Sequence, residues 1–306
     1  MRVILYEPDY GPRLSCSGKA TAALSEGLTT LGVEHSVCKT RDFLGTIADV
    51  AIVNGWTKTM LGGLDGGPKK NRNTVIAAQE AAGKPAWCLE RGFLLDREEW
   101  SSLAIGGFCA SGDFRAEGMP PDRWIRMGVE LQPWRTEGNY ILLCGQVPWD
   151  AQVEGGDHIA WLEETAREIR KHTDREIWFR PHPKAYRRGH PYEELSEEFR
   201  EIVGLRPGSE IREAGIPFEE DLAGAHAVVC YNSNVATLAT VAGVPVFTGA
   251  PSLADPIAFR IERGALEAIE TKWADPDREQ WSWNLAYHQW RLEEFREALP
   301  YLHLTR

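Results

Sequence analysis

The chain of 306 residues contains no apolar run approaching 18 residues, the length a membrane-crossing helix needs, so no stable membrane insertion is expected. It also lacks a CxxC pair. Its six cysteines (Cys16, Cys38, Cys88, Cys109, Cys144 and Cys230) are scattered and lie mostly within apolar runs, which predicts reduced core thiols rather than zinc ligands or a disulfide framework. There is no excess of positive charge, because 34 Lys+Arg face 45 Asp+Glu for a net of −11. That balance argues against non-specific nucleic-acid binding, which depends on a basic surface releasing counterions. Neither GxGxxG nor a P-loop occurs, so NAD and ATP chemistry have no support. Short-period repeats and low-complexity segments are absent too, and 43% hydrophobic with 26% charged residues excludes collagenous, coiled-coil and disordered classes. The opening MRVILYEPDY reaches Glu7 and Asp9 too soon for a secretion signal and reads as a first buried strand, so a cytoplasmic location is expected.

What is present is length for two domains, since single domains run to about 150 residues. The acidity is unevenly placed. Residues 1–138 carry 16 basic and 17 acidic side chains, while residues 139–306 carry 18 and 28, so a local basic face remains possible in the first half. Apolar strand-like runs at 2–6, 33–37, 49–53 and 85–89 alternate with helical patterns over 15–31 and 73–82. The alternation restarts with strands at 140–144, 176–179, 227–231 and 244–247, separated by helical patterns over 158–172, 191–203 and 234–242. This predicts an α/β fold of two Rossmann-like domains with parallel sheets, facing each other across a cleft. The expected boundaries are 1–138, 139–276 and a C-terminal helix over 277–306 that packs back on the first domain. In that last segment Trp283, Tyr287 and Trp290 fall on one helical stripe, which suits a core face better than a ligand site.

Three segments place polar residues after strands of the second half. In WFRPHPK the prolines hold a turn rigid, leaving Arg180, His182 and Lys184 as donors suited to a phosphate or diphosphate; the alternative is a surface turn with solvated cations. In AVVCYNSNVATLATVAGVPVF, Tyr231, Asn232, Ser233 and Asn234 precede a helix of small residues, an arrangement that suits an anion and is equally an ordinary helix start. In LLCGQVPWD, Gln146 and Asp150 follow the strand. In a parallel sheet these ends share one edge, so the three segments converge on a site for a phosphate-bearing ligand.

The GQ…D element, the RPHP turn and the NSN turn with its small-residue helix and GVPV occur in an order that resembles the C-terminal half of capsule-polysaccharide glycosyltransferases of the Kdo-transferase type, over roughly residues 140–250. That resemblance implies the GT-B architecture, with a nucleotide-sugar donor bound mainly by the second domain and an acceptor by the first. Donor-site roles then fall to Gln146, Asp150, Arg180, His182, Lys184, Tyr231, Asn232, Ser233 and Asn234. The stretches CLERGFLLDREEW (88–100) and WSWNLAYHQWRLEEF (281–295) are similar to sequences in virus-encoded glycosyltransferase-like proteins, some of which glycosylate hydroxymethylated pyrimidines in DNA.

Glycosyl transfer needs a base for the acceptor hydroxyl, or a carboxylate nucleophile where configuration is retained. The candidates at strand ends of the first half are Glu90, Asp113 and Asp9; Glu90 stands beside Arg91, and a paired surface carboxylate is the alternative for it. No acidic pair with metal spacing accompanies the donor motifs, so a metal-independent reaction is expected. UDP-sugars are the first choice of donor for a DNA acceptor, and CMP-linked Kdo for a capsule acceptor. A double-stranded DNA partner would use Lys69, Lys70, Arg72, Arg115, Arg123 and Trp124, with Lys58, Arg126, Arg135 and Trp134 nearby. The expected activity is therefore sugar transfer to a hydroxymethylated, 5-hydroxymethylcytosine-type base in viral DNA. The alternatives are a capsule or lipopolysaccharide sugar transferase and an inactive sugar-nucleotide-binding module.

Overall fold

In the computed structural model, the described residues are 1–7, 16–56, 68–95, 98–148, 150, 152–153, 157–182, 191–205, 216–271 and 277–306. They form two compact units, Met1–Gly128 with Ser282–Arg306, and Val129–Trp281.

The first unit runs β1 (Val3–Glu7), α1 (Cys16–Thr30), β2 (His35–Lys39), β3 (Val50–Asn54), α2 (Pro68–Ala81), β4 (Ala86–Arg91), β5 (Trp100–Ile105) and α3 (Asp122–Met127). β3 is buried along its whole length, as is expected of a strand covered on both faces. β2, β1, β3 and β4 are parallel neighbours, whereas β5 returns antiparallel to β4. The sheet is thus mixed, a departure from the all-parallel expectation. A short connection after β4 can only reverse the chain, because a parallel crossover needs a dozen or more residues. α3 gives regular structure to part of the 112–138 stretch that has no readable period.

The second unit runs β6 (Tyr140–Cys144), α4 (His158–His172), β7 (Glu176–Arg180), α5 (Glu197–Ile202), β8 (Gly204–Leu205), α6 (Phe218–Gly224), β9 (Ala225–Cys230), α7 (Val235–Val241), β10 (Val246–Thr248) and β11 (Phe259–Arg260). Its described strands lie in the order β11-β10-β9-β6-β7-β8 and are all parallel. Numbered from β6, this is the Rossmann order 3-2-1-4-5-6, with its switch point between β6 and β9. α4 starts where Asp157 accepts the N–H groups of Ile159 and Ala160, and it ends on Arg170, Lys171 and His172, which suit the helix dipole. α5 is shorter than the pattern over 191–203 suggests. Ser196 caps it at Phe199 N, and a single 3₁₀ turn precedes it. Residues 129–138 join this unit because Gln132 N donates to Val241 O and Arg135 N to Gly243 O.

The C-terminal segment is not one long helix. It divides into α8 (Arg278–Ala286), β12 (Trp290–Arg291), α9 (Leu292–Arg296) and α10 (Leu299–Leu304). The carbonyls of Ala286 and Gln289 accept from the Arg123 guanidinium, and Trp290 and Arg291 pair with β5 instead of continuing the helix. Phe295, Ala298, Tyr301 and Leu304 pack in one core with Leu24 and Leu28 of α1 and with Leu5, Ile52 and Leu89 of the sheet. No described helix is long and apolar enough to cross a membrane.

Candidate functional site

β6, β7 and β9 are adjacent and parallel, so the residues after them emerge at one edge of the second sheet. At the switch point Gln146 and Asn232 meet: Gln146 Nε2 donates to Asn232 Oδ1 at 3.0 Å, and Asn232 Nδ2 donates to Gln152 O at 2.8 Å. Both side chains are buried, and each amide is oriented by its partner. The backbone here is held from outside the three motifs. Gln146 N–H donates to His158 Nε2 at 2.9 Å, and the Tyr192 hydroxyl donates to Gln146 O at 2.9 Å while accepting from His182 N–H at 3.3 Å. Tyr192 therefore links the loops after β6 and β7. Gly145 is bare because a β-carbon there would lie 2.6 Å from that hydroxyl.

Tyr231 packs its ring edge-on to Trp161, centroids 5.3 Å apart, and to His158 at 6.0 Å. Asp150 closes the turn after β6, its Oδ1 accepting from Gln152 N–H. Ser233 Oγ accepts from Val235 N–H at 3.4 Å, whereas the Asn234 side chain makes no cap bond to α7. Arg180, expected among the donor ligands, is engaged within the fold. Its guanidinium pairs with Asp221, which is fully buried, and donates to Ile216 O at 2.7 Å. A buried carboxylate needs such a partner, and this one holds α6 to the end of β7. Lys184 lies outside the described residues. The polar edge thus gathers Gln146, His182, Tyr231, Asn232 and Ser233, an array of amide, hydroxyl and imidazole groups able to hold phosphate or sugar oxygens, with the Asp150 carboxylate able to accept from sugar hydroxyls.

Three participants were not expected from the sequence: His158, Trp161 and Tyr192. For His158 a signal existed, since it follows Asp157 at the start of the first helix after β6; a lone Tyr192 after the RPHP turn gives none. Burial holds the His158 imidazole well below its ordinary range, at about 4 against 6.5. The Gln146 N–H bond requires Nε2 to stay unprotonated. The unfolded chain takes up this proton near pH 6.5 and the folded chain only near pH 4, so the stabilisation is complete above pH 6.5 and is lost as pH falls between those values. By pH 5 the loss from this residue is about 2 kcal/mol. Urea unfolding at pH 7.5 and pH 5 should show it, and His158→Gln, whose carbonyl can still accept the Gln146 N–H, should reduce the difference by that amount.

In the first unit the parallel order β2-β1-β3-β4 puts a switch point between β1 and β3. There Asn54 is buried and donates through Nδ2 to Tyr6 O and Thr21 Oγ1, both at 2.9 Å. Glu90 ends β4 on the same edge, half-buried, its Oε1 accepting from Arg91 N–H at 3.0 Å. It is not the ion-pair partner of Arg91, whose guanidinium lies 3.8 Å from Glu98. Asp113 is at the other end of the sheet. It bridges Ile105, which pairs with Trp87 near the start of β4, so the antiparallel turn of β5 carries it away from Glu90. Asp9 is outside the described residues.

Among the described residues, the nucleic-acid candidates include two that are not on a surface. Arg123 and Trp124 are buried. Arg123 forms an ion pair with Glu294, and its guanidinium lies 3.8 Å from the centre of the Trp290 ring, so both residues serve the core instead of a surface. Arg115 is exposed and donates to Arg306 O at 2.8 Å. Arg72 donates to Asn54 O at 2.8 Å. Lys69 and Lys70 belong to the first turn of α2, and their side chains, like Lys58, are outside the described residues.

No family model matches the chain, and no curated protein matches it in sequence. Among solved structures, Thermosulfurimonas dismutans KpsC, beta Kdo 2,7 transferase, is similar with a TM-score of 0.51 and 15% identity over 99% of both chains. The beta Kdo 2,4 transferase of Thermosulfurimonas dismutans KpsC is similar at 0.44 and 14%, over 81% of this chain and 79% of that one. Methanocaldococcus jannaschii UDP-GlcNAc 2-epimerase, in complex with UDP-GlcNAc and UDP, is similar at 0.38 and 11% over 99% of both. The first of these likenesses is one of fold, and the fold is two Rossmann-like α/β units in tandem, the GT-B architecture.

Proposed function

We propose that the protein is a glycosyltransferase whose second unit holds a nucleotide-sugar donor and whose first unit supplies the acceptor-side carboxylate. The observation that carries this reading is the buried Gln146–Asn232 pair at the switch point of a 3-2-1-4-5-6 sheet, with Tyr231 and His182 on the same edge. Ligands of such sheets sit at that point. The printed name of the similar solved structure, a beta Kdo 2,7 transferase, agrees with a sugar-linked ligand.

In the proposed reaction the acceptor hydroxyl gives its proton to Glu90 as its oxygen bonds to the anomeric carbon. The bond from that carbon to the nucleotide phosphate breaks, and the nucleotide leaves with the electron pair. Donors at the second sheet's edge then meet the charge that develops on the phosphate. UDP-sugars are the first donors to test and CMP-Kdo the second. As acceptor we put a hydroxymethylated pyrimidine in DNA first, on the resemblance read in residues 88–100 and 281–295; the burial of Arg123 and Trp124 leaves that acceptor without two of its expected contacts.

The test is intact-mass analysis of a duplex containing 5-hydroxymethylcytosine, incubated with the protein and a panel of UDP- and CMP-sugars, with an unmodified duplex and a Kdo-terminated glycolipid alongside. Mass gain on the modified duplex alone is the expected result. Gain on the glycolipid alone replaces the acceptor and keeps the transferase. Asn232→Ala should weaken donor binding by at least about tenfold, the value of one or two buried hydrogen bonds. Donor binding by titration with no transfer to either acceptor would favour an inactive binding module.

A further inference from the structure

The second unit holds a cavity of about 340 Å³ that is lined by none of the polar-edge residues gathered above. Its inner wall is made by Phe179 of β7 with Tyr192, Leu195, Phe199 and Val203, all buried in the core that covers one face of the second sheet. On the solvent side it is bordered by Glu193, Arg200 and Leu205, all exposed. Leu205 closes β8, the outermost strand, and is half exposed. α5 is six residues long and β8 two, and the space lies where these short elements border Phe179.

Protein interiors pack to crystal-like density and leave few voids larger than a water molecule. A space of this size instead falls in the range of small-molecule sites, about 300–1,000 Å³. Water suits it poorly, because an ordered water needs about two to four polar partners. The inner wall offers few: the Tyr192 hydroxyl is taken by Gln146 O and the His182 N–H, and its carbonyl accepts from Leu195 N–H and Arg200 Nη2. Charge is confined to the mouth. Among the described residues the Arg200 guanidinium makes one hydrogen bond, to Tyr192 O at 3.3 Å, so most of its five N–H donors remain for an anion. Glu193, the other charged group there, already has a partner.

We propose that this cavity is a binding site for a medium-chain carboxylate, with the chain packed against Phe179, Leu195 and Phe199 and the carboxylate paired with Arg200. The apolar wall favours every CH₂ that it buries. The planar guanidinium takes a carboxylate through two parallel N–H bonds, which an amine cannot match. Tyr192 belongs to both places, since it borders the cavity while its hydroxyl joins the loops after β6 and β7. An occupant therefore packs against the residue that links those loops. This site stands apart from the transferase reading and holds whether or not sugar is transferred.

Titration calorimetry of the full chain with octanoate, decanoate and decylamine tests this. Decanoate should saturate one site and bind at least about tenfold more tightly than octanoate, since each buried CH₂ is worth about fourfold in affinity. Decylamine should bind at least about tenfold more weakly than decanoate. Arg200→Gln should weaken decanoate by about tenfold and leave decylamine within about twofold. Leu205→Trp, at a half-exposed position with room for a larger side chain, and Val203→Phe, within the wall, should each weaken decanoate by about tenfold by narrowing the space. Thermal melting of both variants shows whether they fold. Absence of saturable decanoate binding, equal affinity for decylamine, or an affinity unchanged by Arg200→Gln and by a folded narrowing variant would overturn the proposal.

Discussion

Under the proposed transferase role, Glu90→Gln should lower turnover by about 10²- to 10⁴-fold while donor affinity stays within about twofold, because a general base contributes on that scale and the proposed donor residues lie in the other unit. The substitution preserves shape and removes the basic oxygen, so the Arg91 N–H bond can persist through the side-chain carbonyl. If configuration is retained through a covalent intermediate, the amide is equally unable to act as nucleophile, and the loss has the same sign. Asp113→Asn is the control. Asp113 lies near the start of β4, its Oδ1 accepting from Arg115 N–H, and its replacement should leave kcat within about twofold. A large loss at Asp113 with none at Glu90 would move the reacting edge to the opposite end of the sheet.

Arg123→Ala should destabilise the first unit by about 3–5 kcal/mol, the cost of breaking a buried pair by removing one partner. Arg123 is 5% exposed and its partner Glu294 21% exposed, so solvent compensates little for either. The same guanidinium donates through Nε to Ala286 O at 3.0 Å and through Nη2 to Gln289 O at 2.8 Å. Its removal leaves the Glu294 carboxylate with only the Arg291 N–H, deprives two carbonyls of their donor and leaves a space over the Trp290 ring. Urea unfolding of the parent, Arg123→Ala and Arg123→Ala/Glu294→Gln measures this. The double variant should recover part of the loss, because its amide no longer leaves a charge unpaired. Equal losses in the two variants would show that the carbonyl contacts and the ring packing, not the ion pair, carry the effect.

Within the second unit, much of this arrangement was legible in the residues themselves. Runs such as YILLC and AVVC are buried on both faces, and a strand of that kind carries its pattern in its own composition. Because parallel strands deliver their ends to one edge, Gln146, His182 and Asn232 could be placed together from strand positions alone, before any distance was known. The two-unit α/β architecture follows from the same alternation. Hydrophobic period is a local property, and a strand covered on both faces expresses it without reference to its neighbours.

What the tertiary structure alone decided depends on partners distant in sequence. The stripe of Trp283, Tyr287 and Trp290 has helical spacing, yet Arg123, more than 160 residues earlier, takes the carbonyls that would have continued the helix, and β5 takes the next two residues as a strand. Charge alone made Arg123 a surface candidate; half-buried Glu294 holds it, as buried Asp221 holds Arg180, and nothing near either arginine in the chain announces its partner. Likewise Asp113 and Glu90 both follow strand-like segments, and only the antiparallel return of β5 sends them to opposite ends. Local pattern determined which segments are strands and helices and which edge the second unit's polar residues share. Pairing across the fold determined which charges remain for chemistry, because a buried charge goes to the partner that the packing brings within reach.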